Sequence, residues 1–247
     1  PVLFTYSINP TTGLLILDYV ANQNGSANVT IRATEPVGWY DETTFTLTVQ
    51  SVNDAPSGTD ATVSTSEDTS YVFAVADFGL NDPFDVPANE FNAVKIVNLP
   101  SAGALLLNGT PIAANDSISK DDLNSGKLRY VPPANGFGNA LGTFTFQVQD
   151  DGGILAGGID TDPTPNQITM NVLAVGDTPQ VASPTTLEDT LSAAIVISRY
   201  GADGAEVTHF KISGITGGTL FKNDGVTPLN DGDFVTFAEG QAGVKFL

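Results

Sequence analysis

Ser51-Val52-Asn53-Asp54-Ala55-Pro56, followed by Ser66-Glu67-Asp68-Thr69, has a counterpart further along the chain. That counterpart is Ala174-Val175-Gly176-Asp177-Thr178-Pro179, followed by Leu187-Glu188-Asp189-Thr190. In both copies a run of alternating apolar residues ends in an acid close to a proline, and a Glu-Asp-Thr triplet opens the next run. Glu67 and Glu188 stand 121 residues apart, a spacing that fits a domain and is far too long for one turn of a solenoid. The spacing sets the expected organisation: a leading piece over residues 1–55, one whole domain over 56–177, and a trailing piece over 178–247. The two end pieces together approach the length of one further repeat. The chain therefore reads as a window on a longer array, out of register with its domain boundaries.

Working outward from the junctions, the pattern is that of strands. Val29, Ile31 and Ala33 alternate with Thr30, Arg32 and Thr34, and Phe45, Leu47 and Val49 with Thr44, Thr46 and Thr48. In the middle of the chain Tyr71, Phe73 and Val75 repeat the period, as do Phe144, Phe146 and Val148, then Ile168, Met170 and Val172. Period two with β-branched and aromatic residues marks half-buried strands. Asn108-Gly109 predicts a two-residue hairpin. The spacing allows one helical turn, at Ser119 to Leu123, with Ser119 as cap and Asp121 and Asp122 in its first turn. The trailing piece resembles the first half of the central domain: Gly103-Ala104-Leu105 matches Gly218-Thr219-Leu220, Ile118 matches Phe234, and Leu128-Arg129-Tyr130 matches Val244-Lys245-Phe246. Val29-Thr30-Ile31 aligns with Phe144-Thr145-Phe146, which aligns Glu35 with Asp150. Short strands, Gly/Pro/Asn/Asp turns and no long segment of helical period predict an all-β fold of tandem Greek-key β-sandwiches.

Composition narrows the chemistry. There are 28 Asp plus Glu against 9 Lys plus Arg, and 21 of the acids are Asp. Asp favours turns and hard-cation sites. A field of this sign repels nucleic acid and anionic membranes, so neither is expected as a partner. The absence of cysteine excludes thiolate metal sites, disulfides and thiol catalysis. No apolar run reaches the ~20 residues of a membrane helix. No secretory leader is visible from Pro1 onward, and any targeting segment is expected to lie outside this chain.

Val52-Asn53-Asp54-Ala55-Pro56 resembles the calcium-binding linker that ends a cadherin repeat, and Glu67 stands 11 residues after Pro56, where that pattern has an acidic ligand on the first strand. Phe144-Thr145-Phe146-Gln147-Val148-Gln149-Asp150-Asp151-Gly152-Gly153 is similar to the penultimate strand and acidic loop of bacterial cadherin-like repeats. Leu99-Pro100 through Asn108-Gly109, then Lys127-Leu128-Arg129-Tyr130-Val131-Pro132, resembles repeats of very large bacterial surface proteins, which are related to the chondroitin-sulfate-proteoglycan type. The resemblance implies an extracellular, calcium-stiffened repeat segment of a surface adhesin, a structural extender that is not an enzyme. It departs from the pattern in places. Gly176 stands where the first linker has Asn53, Glu35 where an Asp is usual, and Asp203 is followed by Gly204-Ala205, whereas Asp82 is followed three residues on by Asp85. The first junction is therefore expected to be the better calcium site.

Calcium takes about six to eight oxygen ligands at roughly 2.3–2.6 Å, and carboxylates pooled at a domain end repel unless a cation sits among them. For the first junction the expected set is Glu35, Asn53 and Asp54 from above with Asp82 and Asp85 from below. For the second it is Glu67, Asp150 and Asp177 above with Asp203 below. Solvated turn residues are the competing reading, since Asp serves turns for its own reasons. Asn223-Asp224-Gly225 and Asn230-Asp231-Gly232-Asp233 lack the remaining spacing of an EF-hand and read as hairpin turns.

Other motifs carry less. His209 is the sole histidine, on the wet face of a strand pattern that buries Phe210 and Ile212, with no partners for catalysis. Ser117-Ile118-Ser119-Lys120 matches S-x-x-K without its companion motifs. Asn24, Asn28, Asn108 and Asn115 begin N-x-Ser/Thr triplets, meaningful only in a source that glycosylates exported proteins. Trp39 beside Gly38 and Tyr40 supports an alternative reading as a carbohydrate- or ligand-binding module. The expected partners are neighbouring repeats of the same chain, and incomplete end pieces with open sheet edges further suggest head-to-tail self-association between copies.

Overall fold

A computed structural model describes residues 2–247, and its regular structure is almost wholly strand. The leading part holds two hairpins. In the first, β1 (Phe4–Ile8) pairs with β2 (Leu15–Tyr19); in the second, β3 (Gly25–Thr34) pairs with β4 (Tyr40–Val49). The alternating runs at Val29 and Phe45 are these last two strands. Only Leu3 among the described apolar residues here is buried, and Tyr6, Ile8, Trp39 and Tyr40 are well exposed.

The central part is a two-sheet Greek-key sandwich built from nine strands. They are β5 (Ala61–Ser66), β6 (Tyr71–Val72), β7 (Phe91–Asn98), β8 (Ala104–Leu107), β9 (Thr110–Pro111), β10 (Ser117–Ser119), β11 (Leu128–Val131), β12 (Gly138–Asp150) and β13 (Asn166–Leu173). One sheet has the order β10-β7-β12-β13-β5, and the other β6-β11-β8-β9. β13 and β5 run parallel, and the remaining pairs are antiparallel. The inward phase of β12 delivers Phe144, Phe146 and Val148 to the core, where Phe73, Phe78, Ile96, Ile168 and Met170 meet them. Phe78 stands edge-on to Phe146 at 5.0 Å and Phe73 edge-on to Phe144 at 5.6 Å, the T-shaped geometry that the ring quadrupole favours. Asn108 and Gly109 both take positive φ, 50° and 82°, as a type I′ turn between β8 and β9 requires. Ser119 caps α1 (Lys120–Asn124), its hydroxyl accepting from the Asp122 amide at 3.2 Å.

The trailing part repeats this plan in smaller sheets. Here β14 (Gln180–Val181) pairs with β15 (Ile197–Ser198), and β16 (His209–Lys211) with β19 (Phe234–Thr236). β17 (Leu220–Phe221) lies between β18 (Pro228–Leu229) and β20 (Lys245–Phe246). Thr236 caps α2 (Phe237–Ala242) with Glu239 closing a capping box. Ile197, Phe210, Leu229, Val235 and Val244 form its core. Val235, not Phe234, is the buried counterpart of Ile118, so the alignment expected from sequence is out by one residue there. Among the described residues no helix is long and apolar enough to cross a membrane.

Candidate metal junctions

The first junction is built from one strand end, one linker and one loop. Asp150 continues the inward phase of β12, so the alternation that buries Phe146 and Val148 also buries this acid. A register shift in the β12–β7 pairing sets it opposite Phe91. Asp150 is 1% exposed, Asp82 6% and Asp85 8%. The linker crosses above them. Asn53 donates its amide to Asp150 Oδ1 at 3.1 Å and to the Ile159 carbonyl at 2.9 Å, and accepts from the Asn89 amide. The backbone N–H of Asp54 donates to Asp85 Oδ2 at 2.9 Å, and that of Asn89 to Asp82 Oδ2 at 2.6 Å.

Two oxygens are left over. Asp82 Oδ1 and Asp150 Oδ2 are buried and accept no hydrogen bond. The four ion pairs among the described residues, Arg32–Glu42, Lys120–Glu90, Lys127–Asp122 and Lys222–Glu239, all lie elsewhere. Burial, followed by the negative charges of Asp85 and Asp82, pushes the Asp54 carboxyl above its ordinary range. Burial likewise raises Asp150, against the hydrogen bonds from Gly152 and Asn53 that lower it, with Asp82 and Asp160 adding repulsion. Two like charges ~4 Å apart at an effective dielectric of ~20 cost about 4 kcal/mol, and a buried carboxylate without a partner costs more than one in water. A hard cation relieves both, and the donor set of carboxylate and amide oxygens suits calcium. Among the described residues no three His, Cys, Asp or Glu side chains gather closely enough to enclose an ion by themselves, so Asn53 and backbone carbonyls would have to complete the sphere.

The second junction uses the other end of the sandwich. Glu67 follows β5, is buried, and accepts from the Val175 amide at 2.6 Å. Asp177 donates its backbone N–H to Asp203 Oδ1 at 3.0 Å, the same contact that Asp54 makes with Asp85. Partial burial, then Asp203 and Asp68, raises the Asp177 carboxyl.

Two placements expected from sequence change. Asp150 belongs with Asn53 at the first junction and not with Glu67 and Asp177: an antiparallel sandwich carries the end of β12 and the end of β5 to opposite poles. Glu35 follows β3 at the tip of the β3–β4 hairpin, whose register runs from Thr34–Tyr40 to Gly25–Val49. Ten residues of strand, ~33 Å at ~3.3 Å each, separate that tip from the end that leads to Asn53. Asn22, Gln23 and Asn24 line a hollow with Asp54 instead.

Three residues went unrecognised. Glu206 stands three residues after Asp203 as Asp85 does after Asp82, a spacing visible in the sequence; it accepts from the Gly204 amide. Asp68 is the second acid of the first Glu-Asp-Thr triplet. Asn89 had no signal. The Asp224 and Asp233 loops are turns as expected. Asp224 accepts from Thr227 Oγ1 and from the Thr227 and Val226 amides, which hold its carboxyl down to about 2, and Asp233 accepts from the Asn230 amide.

No family model matches the chain, and no curated protein matches it. Solved structures do. Drosophila N-cadherin EC1-4 aligns over 98% of this chain and 55% of its own, at 12% identity and a TM-score of 0.38. The extracellular cadherin domains 3-6 of protocadherin gamma B2 align over 94% of this chain and 56% of their own, at 16% identity and a TM-score of 0.45. The chain thus spans about half the length of these structures.

Proposed function

We propose that the chain is a calcium-stiffened segment of tandem β-sandwich repeats, one whole and two partial, that extends an extracellular bacterial surface adhesin. The observation that carries this reading is the pair of buried, unpartnered oxygens, Asp82 Oδ1 and Asp150 Oδ2, beside a linker whose own acid, Asp54, is driven up by burial and then by the charges of Asp85 and Asp82. At the first junction Asp82 and Asp150 would ligate the ion through their free oxygens, with the Asn53 amide oxygen and backbone carbonyls completing the sphere and the charges of Asp54 and Asp85 drawing it in. At the second, Glu67, Asp177 and Asp203 would do so, with Asp68 and Glu206 adding negative charge. When bound, the ion supplies positive charge shared between a sandwich end and the linker above it. The residues themselves fix the linker's direction through the Asp54–Asp85 and Asp177–Asp203 contacts. The product is mechanical: a stiff rod with calcium and a hinged one without.

Small-angle X-ray scattering in calcium and in chelator tests the mechanical part. A longer maximum dimension in calcium is expected. Identical scattering profiles would remove the stiffening role.

A further inference from the structure

The tip of the β3–β4 hairpin carries features that a stiff rod does not use. Trp39 is 77% exposed and Tyr40 60%, two aromatic rings side by side in sequence at a hairpin turn. The turn holds both in place: the Glu35 amide donates to the Trp39 carbonyl at 2.8 Å, the Gly38 amide to the Glu35 carbonyl at 2.9 Å, and Gly38 takes a φ of 90°. Ala33, Thr34, Glu35, Trp39, Tyr40 and Asp41 line an open hollow of about 270 Å³. Arg32, bonded to Glu42, lies over the Tyr40 ring at 4.3 Å from its centroid. Neither Glu35 nor Asp41 belongs to any of the four ion pairs among the described residues.

We propose that this hollow is a binding site for an uncharged pyranose unit of a glycan, stacked on the Trp39 indole and hydrogen-bonded through its hydroxyls to the Glu35 and Asp41 carboxylates. An aromatic face that takes the C–H side of a sugar, flanked by fixed polar groups that take its hydroxyls, combines the apolar wall and few oriented polar atoms of a small-ligand site. Carboxylate acceptors strengthen those hydrogen bonds. The two acids, in a chain of net charge −19, repel sulfated or uronic glycans. An organic cation is the competing occupant, but the Tyr40 ring already carries Arg32, and a cation cage draws on several free aromatic walls. One free indole face with carboxylates beside it fits a neutral ring better.

The chain has a single tryptophan, so its intrinsic fluorescence reports on this site alone. The probes are methyl glycosides of glucose, galactose, mannose and N-acetylglucosamine, with their short oligomers, titrated in calcium and again in chelator, beside choline as the cationic control. A saturable shift with at least one sugar is expected. It should weaken about tenfold in Glu35→Gln or Asp41→Asn, as for loss of a hydrogen bond to a charged acceptor. Calorimetry should show no binding to Trp39→Ala at an unchanged melting temperature. No saturable change with any sugar at ~50 mM, beyond even weak affinity, overturns the proposal. So does a response to choline alone, or one that both carboxamide variants leave untouched. The outcome is independent of calcium binding at the junctions, which the chelator arm removes.

Discussion

At the residue scale the account turns on acids that sit where apolar residues would otherwise sit. Asp150 occupies the inward phase of a strand, and no basic side chain among the described residues pairs with it. Its folded carboxyl, like that of Asp54, titrates above the unfolded value, because burial disfavours the charged form. The sign follows. The folded state binds protons more tightly, so this stability is fully present below the ordinary carboxylate range, ~4, and is lost as pH rises through the raised values. Melting temperature in chelator should therefore fall as pH rises above the ordinary carboxylate range through the raised values, and saturating calcium should abolish the fall by taking the protons' place. Asp224 and Glu239, held down to about 2, act in the opposite sense and only at lower pH. Asp150→Asn removes the charge but keeps the shape. In chelator it should melt no lower than the parent, and it should lose most of the calcium-induced rise. A parent-like calcium response in that variant would detach Asp150 from the site.

At the scale of the element, strands and turns were legible because period two and Asn-Gly are local signals. The β3, β4, β12 and β13 runs, the β8–β9 turn and the Ser119 cap all follow from residues within a few positions of each other. Pole assignment was not legible, because it depends on which strand ends meet across a sandwich. That is why the sequence pattern sets Asp150 with Glu67 and Glu35 with Asn53, whereas the structure sets Asp150 beside Asn53 and Glu35 at the far tip of a hairpin. The inward phase of Asp150 was visible as a continuation of Phe144-x-Phe146-x-Val148, but period alone does not say which end of the domain an inward acid faces. Ser119→Ala should cost about 1 kcal/mol, the typical worth of an N-cap, read by chemical denaturation. Phe146→Ala, which empties the centre of the aromatic cluster against Phe78, should cost about 3–5 kcal/mol.

At the scale of the whole molecule the same contact recurs: a linker aspartate donates its backbone N–H to an acid of the sandwich that follows, at 2.9 Å in the first junction and 3.0 Å in the second. The repeat spacing aligns Asp54 with the region of Asp177, and the structure gives both the same backbone contact to an acid further along the chain. The turn acids behave differently, since Asp224 and Asp233 spend their oxygens on their own loops. If the proposed function holds, two junctions of like design give the chain two ion sites. The most direct measurement is calorimetric titration of the metal-free chain with calcium, repeated on Asp82→Asn. Saturable binding to the parent, with one class of site missing from the variant, is the predicted result; dilution heat alone from the parent would contradict the account.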